Sequence, residues 1–216
     1  IPVNAPCTLT AHYDEKLIAP FLRDLIPQGF ARQVLTKRLA DSGVRGAGQD
    51  FALLRDFCVS PIGNVRVREA AEQSSEALES QQVHSLSVDD LLHDPKGLCD
   101  HDNATPAHSL AGASGVGGEA PKLLIVEDKA GKLYLEGTLP SCRVQRHWLV
   151  KFPRGRMTEN DCDILRAEGV FYRALTKCGV DTLHGTKIFE GNIPSLWLPR
   201  FDRRIKQRSE DRLGVE

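Results

Sequence analysis

No stretch of this 216-residue chain is apolar over the roughly 20 residues that a membrane-spanning helix requires, and its first residues lack the pattern of a signal peptide. A helical span within the sequence is thereby excluded, no membrane partner is expected, and the expected location is the cytoplasm. Charge of one sign is not in excess either. The 28 Lys and Arg against 29 Asp and Glu leave a formal net charge of −1, which gives no bulk electrostatic pull toward nucleic acid or an anionic membrane. Aromatic residues are few, eight Phe, three Tyr and two Trp, and none follows Phe201 in the arginine-rich C-terminal stretch, so recognition of single strands by base stacking has little support. The six cysteines, Cys7, Cys58, Cys99, Cys142, Cys162 and Cys178, lack the spacing of a disulfide framework, and several fall in core-like stretches, as free thiols of a reducing compartment do. Cys99 and His101 lie near His93, but no second ligand pair follows at zinc spacing, and no metal site is expected.

What remains is ordinary for a globular protein: 41% hydrophobic and 26% charged residues, in a length that suits one large domain or two small ones. The charge is unevenly spread. Residues 69 to 106 carry nine acids against the single Lys96, whereas Arg200, Arg203, Arg204, Lys206, Arg208 and Arg212 crowd the other end. Both runs read first as solvated surface. Ile1 stands where an initiator methionine would, and Glu216 closes a charged run without a structural stop, so the chain is expected to be a piece of a longer protein.

Apolar spacing predicts a helix from Asp14 to Leu25, kinked or split at Pro20 and stopped by Pro27 and Gly29. A second helix should carry Phe30, Val34, Leu35 and Leu39 and end near Gly43, and a short third one should cover Phe51 to Phe57. The segment SPIGNVRVRE reads as a turn and a strand, residues 69 to 82 as a linker or solvated helix, and Ser87 to Asp90 as a capping box before Leu91 and Leu92. After Asp94 the composition turns to Pro, Gly, Asp, Asn, Ala and Ser, which is loop chemistry. Beyond it, strands are predicted at 122–127 and 132–135, forming a hairpin, and at 147–152, a nearly unbroken apolar run that should be central. Thr158 is placed to cap a helix through Cys178 with Ile164, Leu165, Phe171 and Leu175 as its apolar face and Gly179 as its stop. Strands at 186–190 and 195–198, joined by Gly191 and Asn192, complete the order.

Two features in this order carry chemistry. Gly115, Val116, Gly117, Gly118, Glu119, Ala120, Pro121 and Lys122 form a glycine-rich turn that runs into the apolar strand LLIV. Glycines allow the backbone to approach a polyphosphate and to aim its N–H groups at it. HWLVKFP then sets Lys151 in an apolar strand, from which it can present a fixed positive charge, and Glu168 near the middle of the next helix is its natural carboxylate partner. Taken singly, Lys151 reads first as a strand-end lysine reaching solvent and Glu168 as an ordinary exposed helix residue; their order after a glycine loop and before LPRFD turns the balance to the phosphate clamp.

On these motifs the chain resembles the HipA family of bacterial toxin kinases over nearly its full length. FLRDLIPQGFARQVLTKRL and DFALLRDFCVSPIGNVRV are similar to the family's small coupling subdomain, SGVGGEAPKLLI to its glycine loop, HWLVKFP to its lysine strand, RAEGVFYRALTKCGV to its glutamate helix and RFDRR to its hinge. The EAPK form of the loop resembles a subgroup whose members are longer. The resemblance implies an α+β fold, with a HipA-like coupling subdomain in residues 1–95 and a kinase-like small lobe of antiparallel sheet and one long helix in residues 96–216, cut after the hinge.

By the same resemblance the parent protein is a serine/threonine kinase, the toxin of a type II toxin–antitoxin pair, using ATP and magnesium on a protein substrate. Lys151 and Glu168 would be its catalytic pair; Ser114, Gly115, Val116, Gly117, Gly118, Lys122, Leu198, Phe201 and Asp202 would line the nucleotide site; and Ser114 would be an autophosphorylated switch. No metal ligand is expected in this stretch, because the base aspartate, its asparagine and the magnesium-binding aspartate would follow the hinge. The chain alone is accordingly expected to bind nucleotide weakly and not to turn over. Pro199 departs from the family's hinge glutamate and has neither a side-chain acceptor nor a backbone N–H. That departure favours a second reading, a non-catalytic module that binds an antitoxin or nucleic acid through the basic 200–212 stretch.

Overall fold

The computed structural model describes residues 18, 20–58, 61–72, 85–93, 120–205 and 210–213. The glycine-rich loop with Ser114, Gly115, Val116, Gly117 and Gly118 therefore lies outside the described residues, as do positions 14–17 and 19 of the predicted first helix and the 94–119 segment. The fold is α+β. Helices α1 (Pro20–Arg23), α2 (Gly29–Asp41), α3 (Ala47–Phe57) and α4 (Val88–His93) precede strands β1 (Lys122–Asp128), β2 (Leu133–Leu135) and β3 (Val144–Lys151). A long helix α5 (Glu159–Lys177) follows, then β4 (Lys187–Phe189), β5 (Ser195–Pro199) and a short hairpin of β6 (Arg203–Ile205) and β7 (Glu210–Arg212). The main sheet is antiparallel, in the order β2-β1-β3-β5-β4, with β3 at its centre.

A strand covered on both faces reads as a continuous apolar run, and that is why LLIV and WLV do not alternate. Leu123 to Val126 are each at most 1% exposed. On one face Leu123, Ile125, Trp148, Val150 and Trp197 join a cluster with Leu35, Leu53 and Leu91 from the helical half. On the other, Leu196, Leu198 and Leu149 meet Leu165 of α5. One hydrophobic cluster thus spans both halves of the sequence, across the expected division at residue 95. At the β1–β2 turn the Asp128 carboxylate accepts from the N–H of Ala130 at 2.8 Å and of Lys132 at 2.9 Å, and Gly131 supplies the left-handed conformation at φ 77°.

Helix α5 opens on a capping box. Thr158 Oγ1 accepts from the Asp161 N–H at 3.3 Å while the Asp161 carboxylate accepts from the Thr158 N–H at 3.1 Å. Its buried positions are Cys162, Leu165 and Gly169, with Tyr172 packed beside them. This corrects the predicted apolar face: of Ile164, Leu165, Phe171 and Leu175 only Leu165 is buried, and Phe171 is 67% exposed. Leu165, Gly169 and Tyr172 follow the same helical spacing one position along, and the glycine lets the helix axis come closer on that side than larger residues would allow. A β-carbon on Gly169 would collide with Ile188 Cδ1, lie 2.8 Å from its Cγ1 and stand 3.2 Å from Leu196 Cδ1.

The predicted strand in SPIGNVRVRE is also corrected: residues 62–64 bend, 65–67 are without regular structure and 68–72 are helical. No strand partner is needed there, because side chains from the far end of the chain satisfy this backbone. The Gly63 N–H donates to Asp202 Oδ2 at 2.8 Å, and Arg203 donates to the carbonyls of Pro61 and Gly63, both at 3.1 Å.

The contact at Gly169 makes a direct prediction. Gly169→Ala will force Ile188 or the helix to move and should destabilise the fold by about 1–3 kcal/mol, the usual cost of overpacking, despite alanine's better helix propensity. Urea unfolding of the two chains measures this, and a substituted chain as stable as the parent would contradict it.

Candidate functional site

Register places the two lysines of interest opposite each other, Lys122 on β1 paired with Lys151 on β3. With a side-chain period of two, they share the face that carries Leu149, Leu196 and α5. Lys151 Nζ donates to Glu168 Oε1 at 2.5 Å, a half-buried ion pair with side-chain exposures of 21% and 36%. The glutamate is presented by the turn of α5 that Gly169 brings onto the sheet. Around the pair lies a cleft of about 310 Å³ whose lining includes Lys122, Lys151, Arg154, Asp161 and Glu168. The Phe152 N–H donates to the Pro121 carbonyl at 3.0 Å, so the chain enters β1 beside the end of the lysine strand.

Electrostatics in this cleft lean positive. Burial lowers the pKa of the Lys122 ammonium, the neighbouring Lys151 charge lowers it further, and Glu168 opposes both. Asp161 is committed elsewhere: its hydrogen bonds from Thr158 hold its carboxyl below the usual range, and Arg154 approaches it at 3.6 Å. Two ammonium groups therefore face the cleft over the single carboxylate of Glu168, an arrangement that an anion with several oxygens would balance.

Leu198, Phe201 and Asp202 are not among the residues that line this cleft, although Leu198 lies on the lysine face, paired with Leu149 two residues from Lys151. Leu198 is 2% exposed and packs beneath α5 with Leu165 and Leu196. Phe201 is 59% exposed. Asp202 is buried and fully occupied by cations: Arg200 Nε and Nη2 donate to its two oxygens at 2.8 and 2.5 Å, and Arg203 Nη1 donates to Oδ2 at 2.6 Å. Beside this cluster His147 Nδ1 meets Glu136 Oε2 at 2.9 Å, and Glu136 Oε1 stands 3.7 Å from Arg200 Nη1 and 3.9 Å from Arg203 Nε.

Desolvation works against each charge in the cluster, and the partners decide the outcome. For Glu136 burial alone would raise the carboxyl, yet the hydrogen bond and charge of His147, with Arg200 and Arg203, bring it down to about 2. Asp202 follows the same logic and is lowered. Burial, with repulsion from Arg200 and Arg212, pulls the Arg203 guanidinium down to about 10. Glu136 and His147 carry no sequence signal for this role, since they sit in ordinary strand and turn positions; Gly63 and Asp202 are 139 residues apart.

No protein-family model and no curated protein matches the sequence. Among solved structures, the chain is similar to HipA of Shewanella oneidensis MR-1, determined as a toxin–antitoxin complex with HipB and its operator DNA. The TM-score is 0.56 at 22% sequence identity, over 90% of this chain and 41% of that one. The chain thus spans less than half the length of the HipA it matches, and what the two share is the fold: helices followed by an antiparallel sheet with one long helix against it.

The buried cluster makes the fold's stability depend on pH in the acid range. Both carboxyls titrate lower in the folded chain than in the unfolded one; for Glu136 the stabilisation is complete above about pH 4.5 and is lost as pH falls toward about 2, and the contribution of Asp202 is lost on acidification in the same direction. Asp202→Ala, which strands two buried guanidinium groups, should cost about 3–5 kcal/mol at pH 7. Urea unfolding at pH 7 and pH 3 measures both effects, and a stability unchanged between those pH values would contradict the assignment.

Proposed function

We propose that this chain is the ATP-binding part of a HipA-like serine/threonine protein kinase, the toxin of a type II toxin–antitoxin system, whose catalytic lobe lies outside these residues. The observation that supports it best is the 2.5 Å Lys151–Glu168 pair, strand lysine to helix glutamate, beside a second cationic side chain at Lys122. In phosphoryl transfer the protein does little covalent work; it clamps the phosphates and neutralises charge as the γ-phosphoryl group moves. Lys151 would hold phosphate oxygens, with Glu168 fixing its direction, and Lys122 would add a second ammonium where the glycine loop joins β1. Gly115, Val116, Gly117 and Gly118 would cover the phosphates with backbone N–H groups. Phosphorylation of Ser114 would add about two negative charges there, repelling nucleotide and switching the site off.

ATP suits the cationic cleft, and bound magnesium would supply charge neutralisation of its β- and γ-phosphates. Among the described residues the two carboxylates of the cleft are already engaged, Glu168 by Lys151 and Asp161 by the helix cap, so the metal ligands are assigned to the lobe outside this chain. The orienting base would come from there too. This chain by itself is therefore assigned weak nucleotide binding without turnover. An antitoxin, and DNA through it, are proposed as partners of the parent protein, by analogy with the HipB and operator DNA of the similar complex.

A second reading, a non-catalytic interaction module that binds an antitoxin or nucleic acid, draws on Pro199, which ends β5 without an N–H for adenine, and on the burial of Asp202 among arginines. The two readings separate by experiment. Titration of the chain with Mg·ATP in a calorimeter should show binding that Lys151→Ala weakens by about tenfold or more, the scale of a lost charge-assisted contact, with the thermal midpoint unchanged. In the complete parent protein the same substitution should abolish phosphate transfer and toxicity. Toxicity retained by the parent protein carrying Lys151→Ala would favour the interaction module.

A further inference from the structure

A second and larger concavity, of about 600 Å³, opens beside the N-terminal half of β3, whereas Lys151 ends that strand. Its lining includes Arg146, Trp148, His184, Lys187 and Arg204 above the buried Arg200 and Arg203, and among the described residues no aspartate or glutamate takes part. The charges there are of two kinds. Arg200 and Arg203 are offset by Asp202 and Glu136 in the buried cluster and serve as a floor. The rim is different. Arg146 touches Glu127 only at 3.7 Å and is 55% exposed, a contact that holds little in water. Lys187 and Arg204 are exposed, and neither has an ion pair with any described residue.

The rim cations stand on a rigid base. Lys187 Nζ lies 5.0 Å from the centroid of the Trp148 ring, a cation–π contact that restrains a flexible ammonium. The ring is itself held: its Nε1–H donates to Glu127 Oε2 at 2.8 Å, and Trp197 meets it edge-on at a centroid separation of 5.9 Å. Strand β4 fixes Lys187 and strand β6 fixes Arg204, so both positive groups are carried by sheet rather than by loop. Such placement lowers the ordering cost of binding an anion.

We propose that this concavity is a binding site for a phosphoryl group, carried either by a small phosphate ester or pyrophosphate or by a phosphorylated side chain. Guanidinium forks and an ammonium match the several oxygens of a phosphoryl group. A nucleic-acid surface is disfavoured by the same residues: Trp148 is only 3% exposed and offers no face on which a base can stack, and the cations ring a hollow rather than line an extended ridge. The proposal is independent of the nucleotide cleft, which shares none of these lining residues.

The test titrates the 216-residue chain carrying Lys151→Ala, so that the nucleotide cleft is disabled, with pyrophosphate, with a phosphoserine peptide, with its unphosphorylated form and with a DNA duplex. Tryptophan fluorescence reports binding, because Lys187 rests on Trp148. Saturable binding of pyrophosphate or of the phosphopeptide at about 0.15 M salt is expected, and which of the two binds more tightly identifies the source. Lys187→Ala with Arg204→Ala should weaken it about tenfold or more, while Lys187→Arg with Arg204→Lys should retain it. The proposal is overturned if none of the phosphorylated probes saturates, if the unphosphorylated peptide binds as well, if only a DNA duplex binds, or if the charge-preserving pair loses as much as the alanine pair.

Discussion

How closely α5 lies on the sheet decides whether Glu168 can meet Lys151, and that closeness is set at Gly169. With no β-carbon, this residue sits against Ile188 and Leu196, and the carboxylate one position earlier is delivered over the end of β3. Burial then gives the pair its value. A lysine and a glutamate in open water attract by little more than thermal energy, whereas at the mouth of a half-enclosed cleft, on a strand paired on both sides and a capped helix, they are held in one geometry. Preorganisation of this kind is what a phosphate clamp needs, since it leaves little to reorganise when charge moves.

At the other end of the sheet a different electrostatic problem is solved. Buried guanidinium groups are costly unless each finds oxygens, and Arg200 and Arg203 find them in Asp202, in Glu136 and in the carbonyls of Pro61 and Gly63. The consequence is architectural. Segments far apart in the chain, the 61–63 turn, the strand-end Glu136 and the Arg-Phe-Asp-Arg run, meet at one point, so the helical half and the sheet are joined by charge as well as by the apolar cluster. The same cluster forms the floor of the second concavity. A rigid, neutralised base beneath exposed Lys187 and Arg204 is what distinguishes that hollow from a merely basic surface.

Much of the fold is legible in the sequence because it depends on local spacing. Thr158 with Asp161 announces the start of α5, the continuous apolar run at Trp148 to Val150 announces a strand covered on both faces, and Asp128 to Gly131 announces the turn between β1 and β2. Within the site, Lys151 and Glu168 can be named from their order along the chain. The misses share one cause. Periodicity sets the apolar face of α5 on Ile164 and Phe171 because it detects bulk, not absence of bulk, and Gly169 is the residue that contacts the sheet. The SPIGNVRVRE segment reads as a strand because its hydrogen-bond partners, Asp202 and Arg203, lie far away in sequence.

The amino-acid sequence by itself determined the element order, the two-sided burial of the central strand and the identity of the lysine–glutamate pair, since hydrophobic period, capping and turn chemistry act within a few residues of one another. Tertiary structure alone decided that Asp202 turns inward to two arginines, that Lys122 faces Lys151 across a ladder, and that the basic residues of β3, β4 and β6 ring a common hollow. Those outcomes depend on which segments meet in space. Electrostatic energy varies with distance and desolvation, neither of which is written in the spacing of residues along the chain.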